Sequence, residues 1–259
     1  MSKLFVYLIL FSPWAIESAL PQEINTKEQI ITTFSGRVPR EWGEVVTGVK
    51  TRMNTSEKVL ALTFDACGGR KGSAYDENLI RYLETERIPA TLFTSGKWME
   101  ANRDTFQAFS RNPFFEIGNH GLNHKPCSAV GRSAHKVKGT KNIREVFDEI
   151  ELNALRIHTA TGLKPRYFRP GTAYSDEVCV EVANALGYEV VNFNVRGDAG
   201  ATYSKRQVKE ALLGAAPASI ILLHMNHPER ETAEGVMEAV PELRRRGFRF
   251  VRLSDFGLR

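Results

Sequence analysis

Two histidines, His120 and His124, lie four residues apart directly after the apolar run 114–118. Imidazoles at this spacing can face the same way and bind one divalent metal ion, for which His is the commonest protein ligand. Two such ligands leave coordination positions open for water or substrate. A pair alone is a weak signal, since surface helices carry such pairs by chance. The placement of the other polar residues therefore decides the interpretation.

Strand-like and helix-like segments alternate along the chain, which predicts parallel strands joined by right-handed crossovers. The predicted strands cover residues 59–64, 89–94, 114–119, 166–169, 189–195, 219–223 and 248–253. The predicted helices cover residues 76–86, 99–111, 143–161, 176–186, 205–215 and 231–246. No linker divides these units, so we expect one α/β domain over residues 58–256, a closed or nearly closed barrel. Residues 20–57 are a polar N-terminal extension, weakly helical at 26–33, and residues 125–140 a polar loop.

Polar residues stand at or beyond the C-terminal ends of these strands. They are Asp65, His120, Arg169, Asp198 and His224. In a parallel barrel the functional groups gather at this end of the strands. We therefore expect two acids, a guanidinium and the imidazoles to share one rim and to form a single site.

At this point the chain resembles the polysaccharide deacetylases of the NodB-homology type, the family-four carbohydrate esterases. The likeness covers roughly residues 50–255. It is carried, in order, by Thr63-Phe64-Asp65, Asn119-His120 through His124, Arg169-Pro170, Asp198 and Leu222-Leu223-His224. The resemblance implies a distorted (β/α)7 barrel with parallel strands and outer helices. It also implies metal-dependent removal of N- or O-acetyl groups from an acetylated polysaccharide.

The resemblance further implies a role for each site residue. A divalent metal ion, with zinc as the first candidate, would be held by His120 and His124, would polarise the acetyl carbonyl and would lower the pKa of a bound water. Asp65 would be the general base that takes the proton of that water, and His224 the general acid that protonates the leaving group.

Arg169 and Asp198 would tune that base and that acid. A guanidinium beside Asp65 favours its ionised form, and an acid beside His224 favours imidazolium. Other interpretations stay open for three of these residues. Asp65 could also be a polar strand end that caps the next turn, Arg169 a surface charge, and Asp198 a residue that shapes a Gly-rich turn.

Ala66 is a departure from the family pattern, which has a second, metal-binding Asp at this position. Three interpretations follow. Asp65 itself binds the metal, and a different group is the base. Alternatively, two His with waters, or with a substitute such as Cys67, hold the metal. In the third, metal affinity is lost and the protein only binds sugar. We favour retained hydrolysis, because the acid, the base and both imidazoles persist.

Two other functions remain open beside the deacetylase. The first is a catalytically silent carbohydrate-binding or scaffolding protein on the same fold, with Ala66 as the inactivating change. The second is hydrolysis of a different amide or of an imide ring. Metal content and acetate release would separate the binding protein from the enzyme.

Composition gives a soluble-type chain with a mild basic excess. Its 259 residues include 35 basic and 30 acidic ones, for a net charge of +5 and a pI near 9.1. This excess favours encounters with anionic surfaces such as acidic wall polymers. It does not indicate nucleic acid as a partner, because no basic helix face is present and the cluster 244–246 suits a helix C-terminus.

Residues 1–19 are typical of an export signal. Lys3 supplies positive charge, residues 4–11 are apolar, and Ser18-Ala19 offers small residues for cleavage. The apolar run is too short to span a bilayer, so we expect no stable membrane span after signal removal. The expected location is the periplasm, the cell envelope or the outside of the cell. An uncleaved membrane tether is the alternative.

Three cysteines, Cys67, Cys127 and Cys179, give an odd count. In an exported protein, one disulfide with one free thiol is the natural arrangement. Because Cys67 and Cys127 each follow a strand-end motif, we expect them near one rim. Three unpaired thiols are the alternative.

Overall fold

Eight parallel strands form one curved sheet in the computed structural model, which describes residues 26–259; the predicted export signal lies outside the described residues. Strands and a small antiparallel hairpin (β4 with β5) are, in chain order, β1 (Val59–Ala66), β2 (Ala90–Thr94), β3 (Phe115–Asn119), β4 (Ser133–Ala134), β5 (Val137–Lys138), β6 (Tyr167–Phe168), β7 (Glu189–Val190), β8 (Val195–Arg196), β9 (Ser219–His224) and β10 (Arg249–Val251). The sheet order is β7-β6-β3-β2-β1-β9-β8, with β10 beside the start of β1. The predicted α/β class with parallel strands is confirmed.

β1 lies at the centre of the sheet because both of its faces are apolar. Leu60, Leu62 and Phe64 pack in the larger apolar cluster, together with side chains of the outer helices. Val59 and Ala61 belong to the cluster on the opposite face. A continuous apolar strand of this kind is typical of a parallel sheet covered on both sides.

The barrel is distorted where the chain passes from β7 to β8. We predicted one strand over residues 189–195, but residues 191–194 separate two short strands at the two ends of the sheet order. The backbone of this stretch is paired elsewhere, since the amide of Asn192 donates to the carbonyl of Lys50 at 2.8 Å. Asn192 Nδ2 also donates to the carbonyl of Ala173 at 2.8 Å. The N-terminal extension thus takes the place of regular strand pairing here.

The helices of the described residues cover the outside of the sheet and flank its ends. They are α1 (Lys27–Phe34), α2 (Glu77–Thr85), α3 (Gly96–Ala101), α4 (Arg103–Arg111), α5 (Ile143–Thr161), α6 (Glu177–Ala185), α7 (Lys205–Leu213) and α8 (Thr232–Arg245). The predicted helix 99–111 is in fact two helices that meet at Asn102. This residue has a non-helical backbone, and its Nδ2 donates to the carbonyls of Ser73 and Trp98 at 2.8 and 2.9 Å.

The predicted polar loop 125–140 contains the β4–β5 hairpin. His135 and Lys136 form its turn with φ of 49° and 65°. Two positive φ values in a row are those of a type I′ turn, which usually has Asn or Gly at these positions. The sequence lacks that signal, so the hairpin was not predicted. None of the helices within residues 26–259 combines the length and apolarity needed to cross a bilayer.

Candidate active site

The strand ends bring the predicted site residues to one edge of the sheet. Asp65 on β1 and His224 on β9 are register partners. His120 follows β3, and its amide donates to the carbonyl of Thr94 at the end of β2. Arg169 follows β6, and its amide donates to the carbonyl of Asn119 at 2.9 Å. The spatial cluster expected from the sequence is therefore present.

Arg169 orients the carboxylate of Asp65 and stabilises its ionised form. Both residues are almost fully buried, and Arg169 Nη1 donates to Asp65 Oδ1 at 2.8 Å. The guanidinium also donates to the carbonyls of Val191 and Asn192 at 3.0 and 3.1 Å. Burial raises the pKa of Asp65, but His120 and Arg169 outweigh it and hold that pKa below its usual range. Asp65 is thus an ionised carboxylate with one oxygen committed to Arg169.

Asp198 orients the imidazole of His224 and stabilises its charged form. His224 Nδ1 donates to Asp198 Oδ1 at 2.9 Å, and the His224 amide donates to Asp198 Oδ2 at 2.6 Å. Asp198 is fully buried and also accepts from Thr232 Oγ1 at 3.1 Å. Burial lowers the pKa of His224, but the Asp198 carboxylate more than compensates and raises it well above its usual range. The imidazole therefore stays protonated around neutral pH, with Nε2 on the side of the cleft.

His120 and His124 meet edge to face with ring centroids 4.8 Å apart. His120 Nδ1 donates to the carbonyl of Arg169 at 2.9 Å, which leaves the lone pair of the neutral ring on Nε2. That nitrogen lies 3.9 Å from Cys67 Sγ and 3.4 Å from Asp65 Oδ2. One ligand atom each from Cys67, His120 and His124 lie within 4.8 Å of one another. This sulfur and nitrogen donor set suits zinc-type ions, whose tetrahedral ligands stand about 3.3–3.8 Å apart.

The cysteines are not paired as we had considered. All three fall within the described residues and are free thiols. Cys127 and Cys179 are buried in the same core cluster, whereas Cys67 lies beside the two histidines. Burial raises the pKa of the Cys67 thiol, but the imidazoles of His124, His120 and His224 outweigh this effect and hold that pKa well below its usual range.

Glu149 holds the loop that carries His124, and the sequence did not reveal this. The Glu149 carboxylate is buried on α5 and accepts from the amides of Asn123 and Lys125 at 2.8 and 3.0 Å. These amides flank His124, whose own φ is 58°. A glutamate within an amphipathic helix normally faces solvent, so the only available signal was its place on the apolar face of α5.

Gly171 lets the arginine-bearing loop touch the histidine-bearing loop. A Cβ at Gly171 would lie 2.3 Å from the carbonyl carbon and oxygen of His124, far inside contact distance. Only a residue without a side chain permits this approach. The Arg169-Pro170-Gly171 stretch therefore positions the guanidinium and also supports the backbone of the second imidazole.

Asp65, Cys67, His124 and His224 line an open cleft of about 330 Å³. Its walls include Phe193, Thr172 and the solvent-exposed His135. Thr172 has a φ of 67°, and its Oγ1 is buried without a hydrogen-bond partner among residues 26–259. Arg196 and Glu44, joined by an ion pair with a 2.6 Å contact, close the outer side. The cleft can therefore take a polar ligand of sugar size.

The fold and the cleft together define a hydrolase of the parallel α/β-barrel type. The sequence profile of the polysaccharide deacetylase family matches residues 52–191, more than half of the chain. The chain belongs to this family, the family-four carbohydrate esterases, and is a hydrolase that removes acetyl groups from polysaccharide. The predicted activity and the resemblance are both confirmed.

Several known proteins are similar to this chain. A peptidoglycan-N-acetylmuramic acid deacetylase of Bacillus subtilis, PdaA, is 25% identical over 211 residues, which are 78% of this chain and 72% of that protein. A peptidoglycan-N-acetylglucosamine deacetylase of Bacillus cereus is 24% identical over 204 residues, 77% of this chain and 88% of that protein. The solved structure of PdaA superposes with a TM-score of 0.67 over 81% of this chain and 84% of its own. A CE4 family pseudoenzyme from Bacillus anthracis, 20% identical, shares the fold with a TM-score of 0.66, over 80% of this chain and 67% of that one.

Proposed function

We propose that the enzyme removes the N-acetyl group from an amino sugar of peptidoglycan, with Asp65 as base, His224 as acid and a divalent ion held by His120 and His124. One observation carries the proposal. The Asp65 carboxylate, fixed by an arginine, and the His224 imidazole, fixed by an aspartate, line the same cleft as His124, which packs against His120. The peptidoglycan N-acetyl substrates in the names of both bacterial relatives support the choice of sugar.

Amide hydrolysis needs a proton acceptor for the attacking water. When bound, a divalent ion supplies Lewis acidity toward the acetyl carbonyl. Asp65 Oδ2 is the oxygen that Arg169 does not hold, so it is free to accept the proton of the water as its oxygen bonds to the carbonyl carbon. The buried guanidinium prevents the carboxylate from turning away, which pre-organises the base.

The departing nitrogen needs a proton as the carbon–nitrogen bond breaks. His224 Nε2 gives its proton to this nitrogen, and the products are acetate and the free amine of the sugar. Asp198 keeps the imidazole charged and holds its ring plane by two hydrogen bonds to the same residue.

Acetate release from purified substrates tests this proposal. The full chain is incubated with N-acetylated peptidoglycan fragments and, separately, with O-acetylated xylan, with and without a chelator. We expect acetate from the first substrate only, lost with the chelator and restored by zinc. Asp65→Asn and His224→Gln should abolish release, whereas His158→Gln, at an exposed position on α5, should not change it. Release from xylan alone would contradict the N-acetyl assignment.

A sugar-binding protein without catalysis is the second candidate, and Ala66 is the observation that favours it. Ala66 supplies no ligand and is buried in the larger apolar cluster. Calorimetric binding of peptidoglycan fragments without acetate release at any metal concentration would support this candidate. Acetate release that requires Asp65 would exclude it.

We propose that the enzyme is exported and acts in the cell envelope or outside the cell. The export signal predicted at residues 1–19 and the wall polymers named for the relatives support this location. Cell fractionation of the full chain tests it, with a version lacking residues 1–19 as the control. Equal distribution of both versions would contradict export.

A further inference from the structure

We propose that the Cys67 thiolate is the third protein ligand of the metal, so that the centre is a Cys-His-His site in place of one with a carboxylate. The inference rests on the proposed function, because it concerns the ion that His120 and His124 would hold. It assigns a role to a residue that matches no motif of the family. It also answers which group replaces the ligand missing at Ala66.

The geometry places the sulfur where a ligand is needed. Cys67 Sγ, one nitrogen of His120 and one of His124 lie mutually within 4.8 Å, and no carboxylate within residues 26–259 belongs to that group. Sγ is 3.9 Å from His120 Nε2, the nitrogen that carries the free lone pair. Since tetrahedral zinc ligands stand about 3.3–3.8 Å apart, modest side-chain rotation closes the site around an ion.

The backbone holds Cys67 in this position. Ser95 Oγ donates to the Cys67 carbonyl at 2.7 Å. Gly68 follows with a φ of 77°, and a Cβ on it would lie 2.5 Å from the amide nitrogen of Trp98. The turn after β1 is therefore tight and pressed against α3, which directs the thiol into the cleft that it lines.

The neighbouring residues are poorer candidates for the third ligand. Asp65 Oδ2 lies 3.4 Å from His120 Nε2, but Arg169 holds the other oxygen of this carboxylate at 2.8 Å, and Asp65 is not in the group of ligand atoms that are close to both imidazoles. Ala66 has no donor atom. If Cys67 is the ligand, Asp65 remains free to act as the base, and the replacement at position 66 leaves the catalytic machinery complete.

A thiolate ligand changes which metal the site prefers. Sulfur is a soft donor that selects zinc or cobalt over magnesium, calcium or manganese, which prefer oxygen. A sulfur-bound cobalt(II) ion also absorbs in the near ultraviolet by charge transfer from the thiolate, a signal that nitrogen and oxygen ligands do not give. The metal centre can therefore be tested without measuring turnover.

Cobalt titration of the metal-free full chain is the first test. We expect the unaltered protein to bind one Co²⁺ with the charge-transfer band. Cys67→Asp should bind Co²⁺ without this band, and Cys67→Ser should bind Zn²⁺ at least about 10-fold more weakly in a chelator competition. His120→Ala should lose the binding altogether. Co²⁺ binding without the band in the unaltered protein, or equal Zn²⁺ affinity in Cys67→Ser, would overturn the inference.

Alkylation with iodoacetamide, read by peptide mass, is the second test. Cys67 should be modified in the metal-free protein and protected by one equivalent of Zn²⁺. Cys127 and Cys179 are buried to about 1% exposure and serve as internal controls that stay unmodified in both states. Equal modification of Cys67 with and without Zn²⁺ would contradict ligation.

The two proposals fail in different ways. A charge-transfer band with no acetate release refutes the proposed function and leaves the Cys-His-His centre standing. Acetate release by a cobalt-loaded enzyme that lacks the band refutes this inference alone.

Discussion

The proposed acid–base half of the cleft and its proposed metal-binding half are held in different ways. Asp65 and His224 each have a buried, oppositely charged partner at 2.8–2.9 Å. In the second half, His120 Nε2 has only longer contacts with the described residues 26–259, at 3.4 and 3.9 Å. Close contacts within the protein fix the first half, whereas the longer contacts of the second half leave its donor atoms room to bind an ion. Variants in the first half should therefore change the rate or the pH profile, and variants in the second half should change the metal affinity.

Asp65→Asn should produce the largest loss, because it removes the base but keeps the shape of the side chain. We expect kcat for acetate release to fall about 10³-fold. Co²⁺ affinity should change little, since Asp65 is outside the group of mutually close ligand atoms. Steady-state kinetics and metal titration check this, with Asp104→Asn on the surface of α4 as the control. A large loss of Co²⁺ affinity would make Asp65 a ligand.

Arg169→Met should reduce stability most, since it leaves the buried Asp65 carboxylate without its partner. Removing one member of a buried ion pair costs about 3–5 kcal/mol of the free energy of unfolding. Without the guanidinium, burial raises the pKa of Asp65, and the acid limb of kcat/KM should move to higher pH. Urea unfolding and a pH profile measure both effects.

The surface variant Arg103→Met is the matched control and should leave both quantities unchanged. An unfolding free energy of Arg169→Met within about 1 kcal/mol of the unaltered protein would show that the pair does not anchor this half of the cleft.

Asp198→Asn should narrow the pH range of the enzyme. Asp198 raises the pKa of His224 against the effect of burial, so its neutralisation lowers that pKa. The imidazolium acid is then lost at lower pH, and the alkaline limb of kcat/KM should move down. We expect a rate loss of about 10- to 100-fold at pH 8, with little change in Zn²⁺ affinity. An unmoved alkaline limb would contradict the assignment of His224 as the acid.

Glu149→Gln should have the smallest effect, and only on the metal-binding half. The neutral amide keeps one acceptor oxygen but weakens the hydrogen bonds that Asn123 and Lys125 donate beside His124. Zn²⁺ affinity should fall about 10-fold, and the pH profile at saturating Zn²⁺ should stay the same. Glu100→Gln, at an exposed position on α3, is the control. A shifted pH profile would show that the halves are not independent.

The sequence predicted the site best where an apolar strand ends in a polar residue. The strand-end placement of Asp65, His120 and His224 follows from local patterns alone, and so does the parallel sheet. The sequence did not predict the break at Asn102, because its hydrogen-bond partners include the carbonyl of Ser73, 29 positions away. Long-range partners of this kind leave no periodic pattern in the sequence.

The supporting residues were missed for the same reason. Glu149 sits 25 residues from His124 on α5, and only the folded chain shows that its carboxylate holds the amides of that loop. The sequence named Cys67 only as one possible ligand, because its nearness to both imidazoles depends on how β1 and β3 end. Side-chain direction after a strand is set by turn geometry, which residue types constrain only loosely.

The missing side chain at Gly171 has a mechanical consequence for the whole cleft. Because the Gly171 backbone packs directly against that of His124, a shift of the guanidinium loop toward His124 is transmitted to the second imidazole. Even a single methyl group there would lie 2.3 Å from the His124 carbonyl and would displace the proposed metal ligand while leaving every charged residue intact. Variant libraries built to change the sugar preference of this enzyme should therefore keep Gly171 and vary the outer side of the cleft at Arg196 and Glu44.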